Sequence, residues 1–225
     1  MALLEGLTLL DEHIRQSLNQ YMQDLFGKED AVLRAVRQEN LAQGLPPIQI
    51  EPETGRMLQF LLTAISARRV VEIGTLGGYS GIWLARALPE EGHLISLEID
   101  PERVKIARTA FERAGLASRA EVRLGHALDS LPALSAEGPF DAVFIDADKR
   151  HYPAYLTWAL DNVRLGGLIM AHNAFWYGAV VQTERLHESD VQGLLSFNRQ
   201  MAEDPRLMGV IIPIGDGIAV ALRVH

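Results

Sequence analysis

The feature that most constrains this chain is an alternation of short apolar runs with amphipathic segments, sustained from Arg69 onward. The runs Arg69–Ile73, Leu94–Leu97, Ala120–Leu124, Phe140–Ile145 and Leu168–Ala171 have the length and composition of strands covered on both faces. Helical spacing fills Tyr79–Leu88, Pro101–Ala114 with its leading proline, Tyr152–Asn162 and Asp190–Ala202. Arg164 and Gly166-Gly167 read as the close of the third of these helices. No element is read between Leu124 and Phe140. Such alternation requires a mostly parallel sheet with crossover helices on both faces. The last two runs, Leu207–Pro213 and Gly217–Val224, are joined by Ile214-Gly215-Asp216-Gly217, where Asp-Gly is a hairpin signal. One late strand should therefore run antiparallel.

Ahead of this pattern, Leu10, Ile14, Leu18, Tyr21 and Leu25 recur at helical spacing from Thr8, and Val32, Leu33 and Val36 form a second group ending before Gly44-Leu45-Pro46-Pro47. Two helices are expected, split at Gly27. Thr54 reads as the N-cap of a third, Gly55–Ser66, with Met57, Leu58, Leu61, Leu62 and Ile65 on its buried face. The economical division is an N-terminal helical extension, residues 1–47, acting as lid or subunit contact, and one α/β domain, residues 48–225.

Composition narrows the chemistry. The 225 residues include no cysteine, which removes disulfides, thiolate metal sites and a cysteine nucleophile. A net charge of −8 argues against general nucleic-acid binding. No run approaches the roughly 18 apolar residues of a membrane span, and Met1–Asp11 lacks a basic start and a small-residue cleavage site. A soluble cytoplasmic protein is expected, without membrane or nucleic-acid partners.

Two strand ends carry the chemistry. Val70-Val71-Glu72-Ile73-Gly74-Thr75-Leu76-Gly77-Gly78-Tyr79-Ser80 runs strand, glycine turn, helix, at the carboxyl end of the first strand, where open α/β sheets bind ligands. The spacing is not Gly-x-Gly-x-x-Gly, which disfavours a nicotinamide oxidoreductase. Glu72 would be unwelcome beside a diphosphate and favourable beside a sulfonium and an ammonium. Glu98, 24 residues past Gly74 at the end of strand two, can accept from a ribose diol. The fourth strand ends in Asp146-Ala147-Asp148-Lys149 and the fifth in His172-Asn173. Adjacent strands would bring Asp146, His172 and Asn173 to one rim, a plausible set for a divalent cation. A hydrogen-bonded polar rim without metal is the alternative. Lys149, near such a cation and away from bulk water, is suited to act as a base; a salt bridge with a neighbouring aspartate is the plainer reading. Arg34 and Arg37 could meet an anionic substrate, although solvated helix charges explain them more simply.

These motifs, with Trp176 and the ending Pro213-Ile214-Gly215-Asp216-Gly217, resemble the cation-dependent O-methyltransferases, closest to the caffeoyl-CoA type and more distantly to catechol O-methyltransferase. The resemblance runs from Ile50 onward. It implies a Rossmann-like class I methyltransferase fold with a seven-stranded sheet, S-adenosylmethionine as cofactor, and commonly a homodimer. It further implies that Ile50, Glu72, Gly74, Thr75, Gly78, Ser80, Glu98, Ala127 and Asp148 serve the cofactor. Asp146, His172 and Asn173 would occupy the metal positions, Lys149 with Asp146 the catalytic ones, and Trp176 and Tyr177 the substrate wall. Two residues depart from the pattern. His172 stands where the family usually has Asp, which removes a negative charge and favours softer ions than Mg. Tyr177 stands where the caffeoyl-CoA type carries Asn. The expected reaction is methyl transfer to a hydroxyl of a small catechol-like aromatic, assisted by a divalent metal. The alternatives are a metal-independent class I methyltransferase acting on another oxygen or nitrogen, and a non-catalytic nucleoside-binding module.

Overall fold

The structure, a computed structural model, describes residues 12–225. Thr8, Leu10 and the segment Met1–Asp11, read above as a helix start and as lacking a leader, lie outside the described residues. Among the described residues three helices come first: α1 (Glu12–Leu25), α2 (Ala31–Ala42) and α3 (Pro52–Ala64). The alternation follows as β1 (Arg69–Ile73), α4 (Tyr79–Arg86), β2 (His93–Glu98), α5 (Pro101–Arg113), β3 (Ala120–Leu124), α6 (Ala127–Leu134), β4 (Phe140–Ile145), α7 (Tyr152–Asn162), β5 (Val163–Ala171), α8 (Ser189–Glu203), β6 (Leu207–Ile212) and β7 (Ile218–Arg223).

The seven strands lie in the order β3-β2-β1-β4-β5-β7-β6. Strands β1 to β5 pair in parallel, and β7 runs antiparallel to both β5 and β6. The expected mostly parallel sheet with a closing hairpin is what forms. The chain winds outward from β1 to β3 and then returns to the other side of β1. A crevice therefore opens at the carboxyl ends of β1 and β4, the topological switch point.

Strand periodicity sorts side chains to the two faces. Val70, Leu94 and Phe144 pack with Leu58, Trp83 and Phe111 from α3, α4 and α5. Val71, Ile73 and Val143 pack with Leu131, Leu156 and Phe197 from α6, α7 and α8. Helix α4 is only eight residues long, too short to persist alone in water. Its place is set by Tyr79, Ile82 and Trp83, each 2% exposed or less. Burying side chains of this size is worth about 1.5–3 kcal/mol each.

Several expectations about elements need correction, and α4 ends at Arg86, two residues before the expected Leu88. Helix α3 starts at Pro52, with Glu51 at the cap position, so Thr54 lies inside the first turn and is fully buried rather than capping. Proline suits that first position because it has no N–H to leave unpaired. Helix α6 was not expected; it is short, with Pro132 inside it, and the His126 ring accepts from Leu128 N at its start. Strand β5 begins at Val163, five residues early, with no loop after α7. Gly166 has φ +72°, and a Cβ on Gly167 would meet Asp141 O; together they let the strand bulge against β4 instead of ending the helix. Helix α8 gains one residue at each end over the expected span.

Candidate active site

The glycine turn after β1 is held from both sides. Gly74 N donates to Leu97 O of β2, and Asp146 N, just past β4, donates to Ile73 O. Gly74 has φ +87°, and a Cβ there would sit 2.4 Å from Asp146 O. Both facts require glycine. Gly78, at φ +84°, caps α4 and packs against the backbone of Ala107. Its work is to seat the helix on α5.

Glu98 closes β2 with its carboxylate pinned: Oε2 accepts from Leu76 N at 2.9 Å, and Oε1 from Ile99 N and Asp100 N at 3.0 and 3.1 Å. Each oxygen keeps some acceptor capacity, so Glu98 presents a fixed, tightly held acceptor to the crevice. Glu72 behaves differently. Being two residues before the turn, it shares the α4 face with Val70 and is fully buried beneath the helix. Its oxygens accept from Ser80 Oγ and Ser96 Oγ, each at 2.5 Å. Burial pushes its carboxyl up to about 7, against the lowering effect of those serines.

At the end of β4, Asp146 is bracketed by two cationic or ionisable groups. Lys149 Nζ donates to Oδ1 at 3.0 Å, and the His172 Nδ1 position lies 3.2 Å from Oδ2. Burial would raise the Asp146 carboxyl, but the charge of Lys149 and the His172 contact outweigh it and hold it well below the usual carboxylate range. Lys149 is 4% exposed and also donates to Tyr152 Oη at 2.6 Å. Its ammonium lies over the rings of Tyr152 and Trp176, at 4.8 and 5.4 Å from their centroids. The Tyr152 hydroxyl lies 3.2 Å from both Ile145 O and His172 O, so one buried phenol ties β4, β5 and the lysine together. Asp148 engages Tyr155, Arg150 and His151. Burial opposes its ionisation, and those three partners together lower it.

The loop after β5 is strained. Asn173, Trp176 and Tyr177 all have φ between +49° and +58°, a conformation worth about 1–3 kcal/mol of strain per residue. The hairpin turn clamps it: Asp216 Oδ1 accepts from Tyr177 N at 2.7 Å and Oδ2 from Asn173 Nδ2 at 3.0 Å, while Ala174 N donates to Gly217 O. Asp216 therefore aims the Asn173 amide, leaving its Oδ1 as the atom free for a ligand. We expect Asp216→Ala to lower stability by about 2 kcal/mol, or roughly 4–8 °C in Tm, and to speed hydrogen exchange at the Tyr177 amide. Unchanged exchange there would show that the loop holds itself.

These elements enclose a cavity of about 570 Å³. Ile50, Gly74, Thr75, Ser80, Glu98, Ala127, Asp146, Asp148, Lys149, Asn173, Trp176 and Tyr177 all line it. Glu72, Gly78 and His172, expected there, do not. Strand parity turns Glu72 under α4, Gly78 faces α5, and His172 sits behind Asp146. Arg34 and Arg37 also do not reach the cavity; both engage Glu29, whose carboxylate accepts from Tyr79 Oη at 2.8 Å. Sequence reasoning missed Asn40, Tyr79, His126 and Tyr155 in the wall. Tyr155 had a signal, one helical turn beyond Tyr152 on the helix that follows the aspartates; Asn40, on α2, had none.

Among the described residues no group of three or more His, Asp or Glu side chains converges on a metal position. What remains is a mixed set: Asp146 carboxylate, His172 imidazole and Asn173 amide oxygen. The 3.2 Å between Asp146 Oδ2 and His172 Nδ1 suits a hydrogen bond and also two neighbouring donors on one ion. By residue type the set would suit a borderline-soft divalent cation better than Mg, although His172 lies outside the cavity lining.

Comparison with known proteins agrees with this geometry. The family model described as O-methyltransferase matches residues 23–224. A catechol O-methyltransferase of Niastella koreensis is 41% identical over 220 residues, covering 95% of this chain and 99% of that protein. A catechol O-methyltransferase of Mycobacterium tuberculosis is 42% identical, covering 88% and 90%. The crystal structure of an O-methyltransferase from Bacillus cereus in complex with SAH superimposes with a TM-score of 0.86 at 40% identity, covering 92% of this chain and 97% of that one. With the switch-point crevice, the glycine turn and the charged end of β4 arranged as described, the chain belongs to the family of class I, S-adenosylmethionine-dependent O-methyltransferases.

Proposed function

We propose that this enzyme methylates one hydroxyl of a small catechol-like aromatic substrate, with a divalent cation at Asp146, His172 and Asn173. The observation that carries the reading is a cavity with two chemically distinct ends. One end has the glycine turn, Ser80 and the pinned Glu98; the other has Asp146, Lys149 and Asn173 beneath Trp176. The names of two similar proteins, both catechol O-methyltransferases, support it.

S-adenosylmethionine, when bound, would supply the methyl: the bond from acceptor oxygen to methyl forms as the sulfur–methyl bond breaks and the neutral thioether leaves. A cation, when bound, would acidify and orient a vicinal diol. The protein's own part is positioning and proton transfer. Ile50, Gly74, Thr75, Ser80, Glu98, Ala127 and Asp148 would hold the cofactor end. Glu72 and Gly78 act through the turn rather than by contact. Trp176 offers an aromatic face to the substrate, and Tyr177, 71% exposed, stands at the mouth. Lys149 is placed to take the hydroxyl proton once its own ammonium has passed a proton to solvent, and Asp146 holds the side chain there. Removing water from this end strengthens every such interaction. The exposed stripe Ile14, Leu18, Tyr21 and Leu25 on α1 supports a role for residues 1–47 in homodimer contacts, with 48–225 as the catalytic domain. A cytoplasmic location belongs to the same proposal. No described helix is long and apolar enough to cross a membrane.

One observation favours a second reading, a metal-independent methyltransferase acting on another oxygen or nitrogen. Both Asp146 oxygens already have protein partners, and His172 lacks the charge of the usual aspartate. A metal-defined assay over a catechol panel, with His172→Asp beside wild type, separates the two. The metal-assisted reading expects activity to vanish in excess chelator after metal stripping. It also expects His172→Asp to raise Mg-supported kcat/KM roughly tenfold, about 1.4 kcal/mol of added transition-state stabilisation. Full activity after stripping selects the metal-independent enzyme.

A further inference from the structure

One polar side chain in the cavity wall is unexplained by anything above. Asn40 comes from α2, in the N-terminal extension; it is 3% exposed, lines the cavity, and its Nδ2 has no hydrogen-bond partner. A buried amide N–H with nothing to donate to is an unfavourable state that native proteins rarely keep without a reason. The amide is also held close: a Cβ on Gly77 would fall 2.3–2.4 Å from Asn40 Oδ1, Cγ and Nδ2. Gly77 must be glycine for Asn40 to reach the turn.

The neighbourhood of that amide is suited to an anion. Helix α4 starts one residue past Gly78 with no side-chain cap, so the N–H groups of its first turn stay open. An uncapped helix start favours negative charge through its dipole and its free donors. Helix α2 and the two residues ahead of it are fixed over this point by Glu29 with Tyr79 Oη, Asp30 with Arg86 and Glu39 with Arg113. An orphan donor, an uncapped helix start and a glycine cleared for close approach thus meet at one corner of the cavity.

S-adenosylmethionine carries one anionic group, the carboxylate of its methionyl end. We propose that Asn40 donates an Nδ2 hydrogen to that carboxylate, so that a residue of the N-terminal extension completes the cofactor site. The proposal rests on the cofactor reading and adds a contact to it from outside the α/β domain. It gives the extension a direct part in binding, beyond covering the domain. Cofactor occupancy and the seating of α2 then become linked.

The test compares S-adenosylhomocysteine with 5′-methylthioadenosine, which keeps the adenosine and the thioether but has no amino-acid end. Calorimetric titration of wild type, Asn40→Leu and Asn40→Asp is required. Asn40→Leu is expected to weaken S-adenosylhomocysteine about tenfold, and Asn40→Asp further, because it sets a carboxylate against a carboxylate. All three proteins should bind 5′-methylthioadenosine with affinities within about twofold of one another. Loss of both ligands in parallel would assign Asn40 a packing role and overturn the proposal, as would undiminished S-adenosylhomocysteine binding in both variants. Failure of wild type itself to bind S-adenosylhomocysteine would overturn the cofactor reading together with this one.

Discussion

Lys149→Ala is expected to lower kcat by about 10²- to 10⁴-fold, the range for removing a positioned acid–base group. Lys149 is an almost fully buried amine held by three fixed neighbours: Asp146 at 3.0 Å, Tyr152 Oη at 2.6 Å and the ring of Trp176. A side chain on a flexible stem is rarely immobilised so completely unless its tip matters. Lys149→Arg should not rescue the loss, since a guanidinium is larger, planar and always charged. S-adenosylhomocysteine affinity should change less than about threefold, because the glycine turn and Glu98 are untouched. Steady-state kinetics on a competent catechol, paired with calorimetry, checks both halves. Turnover by Lys149→Ala equal to wild type would remove lysine as the base. The alternative in which Lys149 is only a structural cation expects lost stability with little lost turnover per folded molecule.

Gly74→Ala is expected to be the most damaging single-methyl change in the molecule. Two costs add. The left-handed backbone at φ +87° disfavours alanine by about 1–2 kcal/mol. The new Cβ would meet Asp146 O at 2.4 Å, and overpacking of this kind costs about 1–3 kcal/mol. The overlap cannot be relieved by rotating a side chain, because both partners are backbone. Relief must come from parting β1 and β4, whose ladder otherwise continues through Asp146 N to Ile73 O. The turn and the end of β4 would then separate, so binding and stability fall together. We expect a drop of roughly 6–12 °C in Tm and at least a hundredfold loss in S-adenosylhomocysteine affinity, about 2.7 kcal/mol. Gly115 is the control: it also has positive φ, but an added Cβ would meet no atom within 4 Å. Gly115→Ala should carry only the backbone cost and leave binding intact.

The fold was largely readable from local pattern, and the particular failures are instructive. Helix α6 escaped because eight residues with a proline inside carry too little periodicity to separate from a loop. Gly166-Gly167 looked like a helix stop because glycine signals positive φ without saying whether a helix or a strand needs it. Asp216 was read as hairpin punctuation, and only the folded chain shows its two oxygens holding the strained loop that carries Asn173, Trp176 and Tyr177. Charge and resemblance both point Glu72 toward the cofactor, whereas strand parity places its carboxylate on the α4 face, against Ser80 and Ser96.

What the sequence determined by itself is therefore everything that depends on near neighbours along the chain. The period-two and period-3.6 patterns specify a parallel sheet with a late hairpin. The glycine spacing locates the turn after β1, and the order of the aspartates and Lys149 locates the charged end of β4. Tertiary structure alone decided which of those groups share one cavity. It turned Glu72 inward and set His172 behind Asp146. It brought Asn40 from an extension helix to within contact of Gly77, 37 positions away in the chain. The physical reason is that burial and hydrogen bonding across elements depend on which surfaces meet, and no local period encodes that meeting.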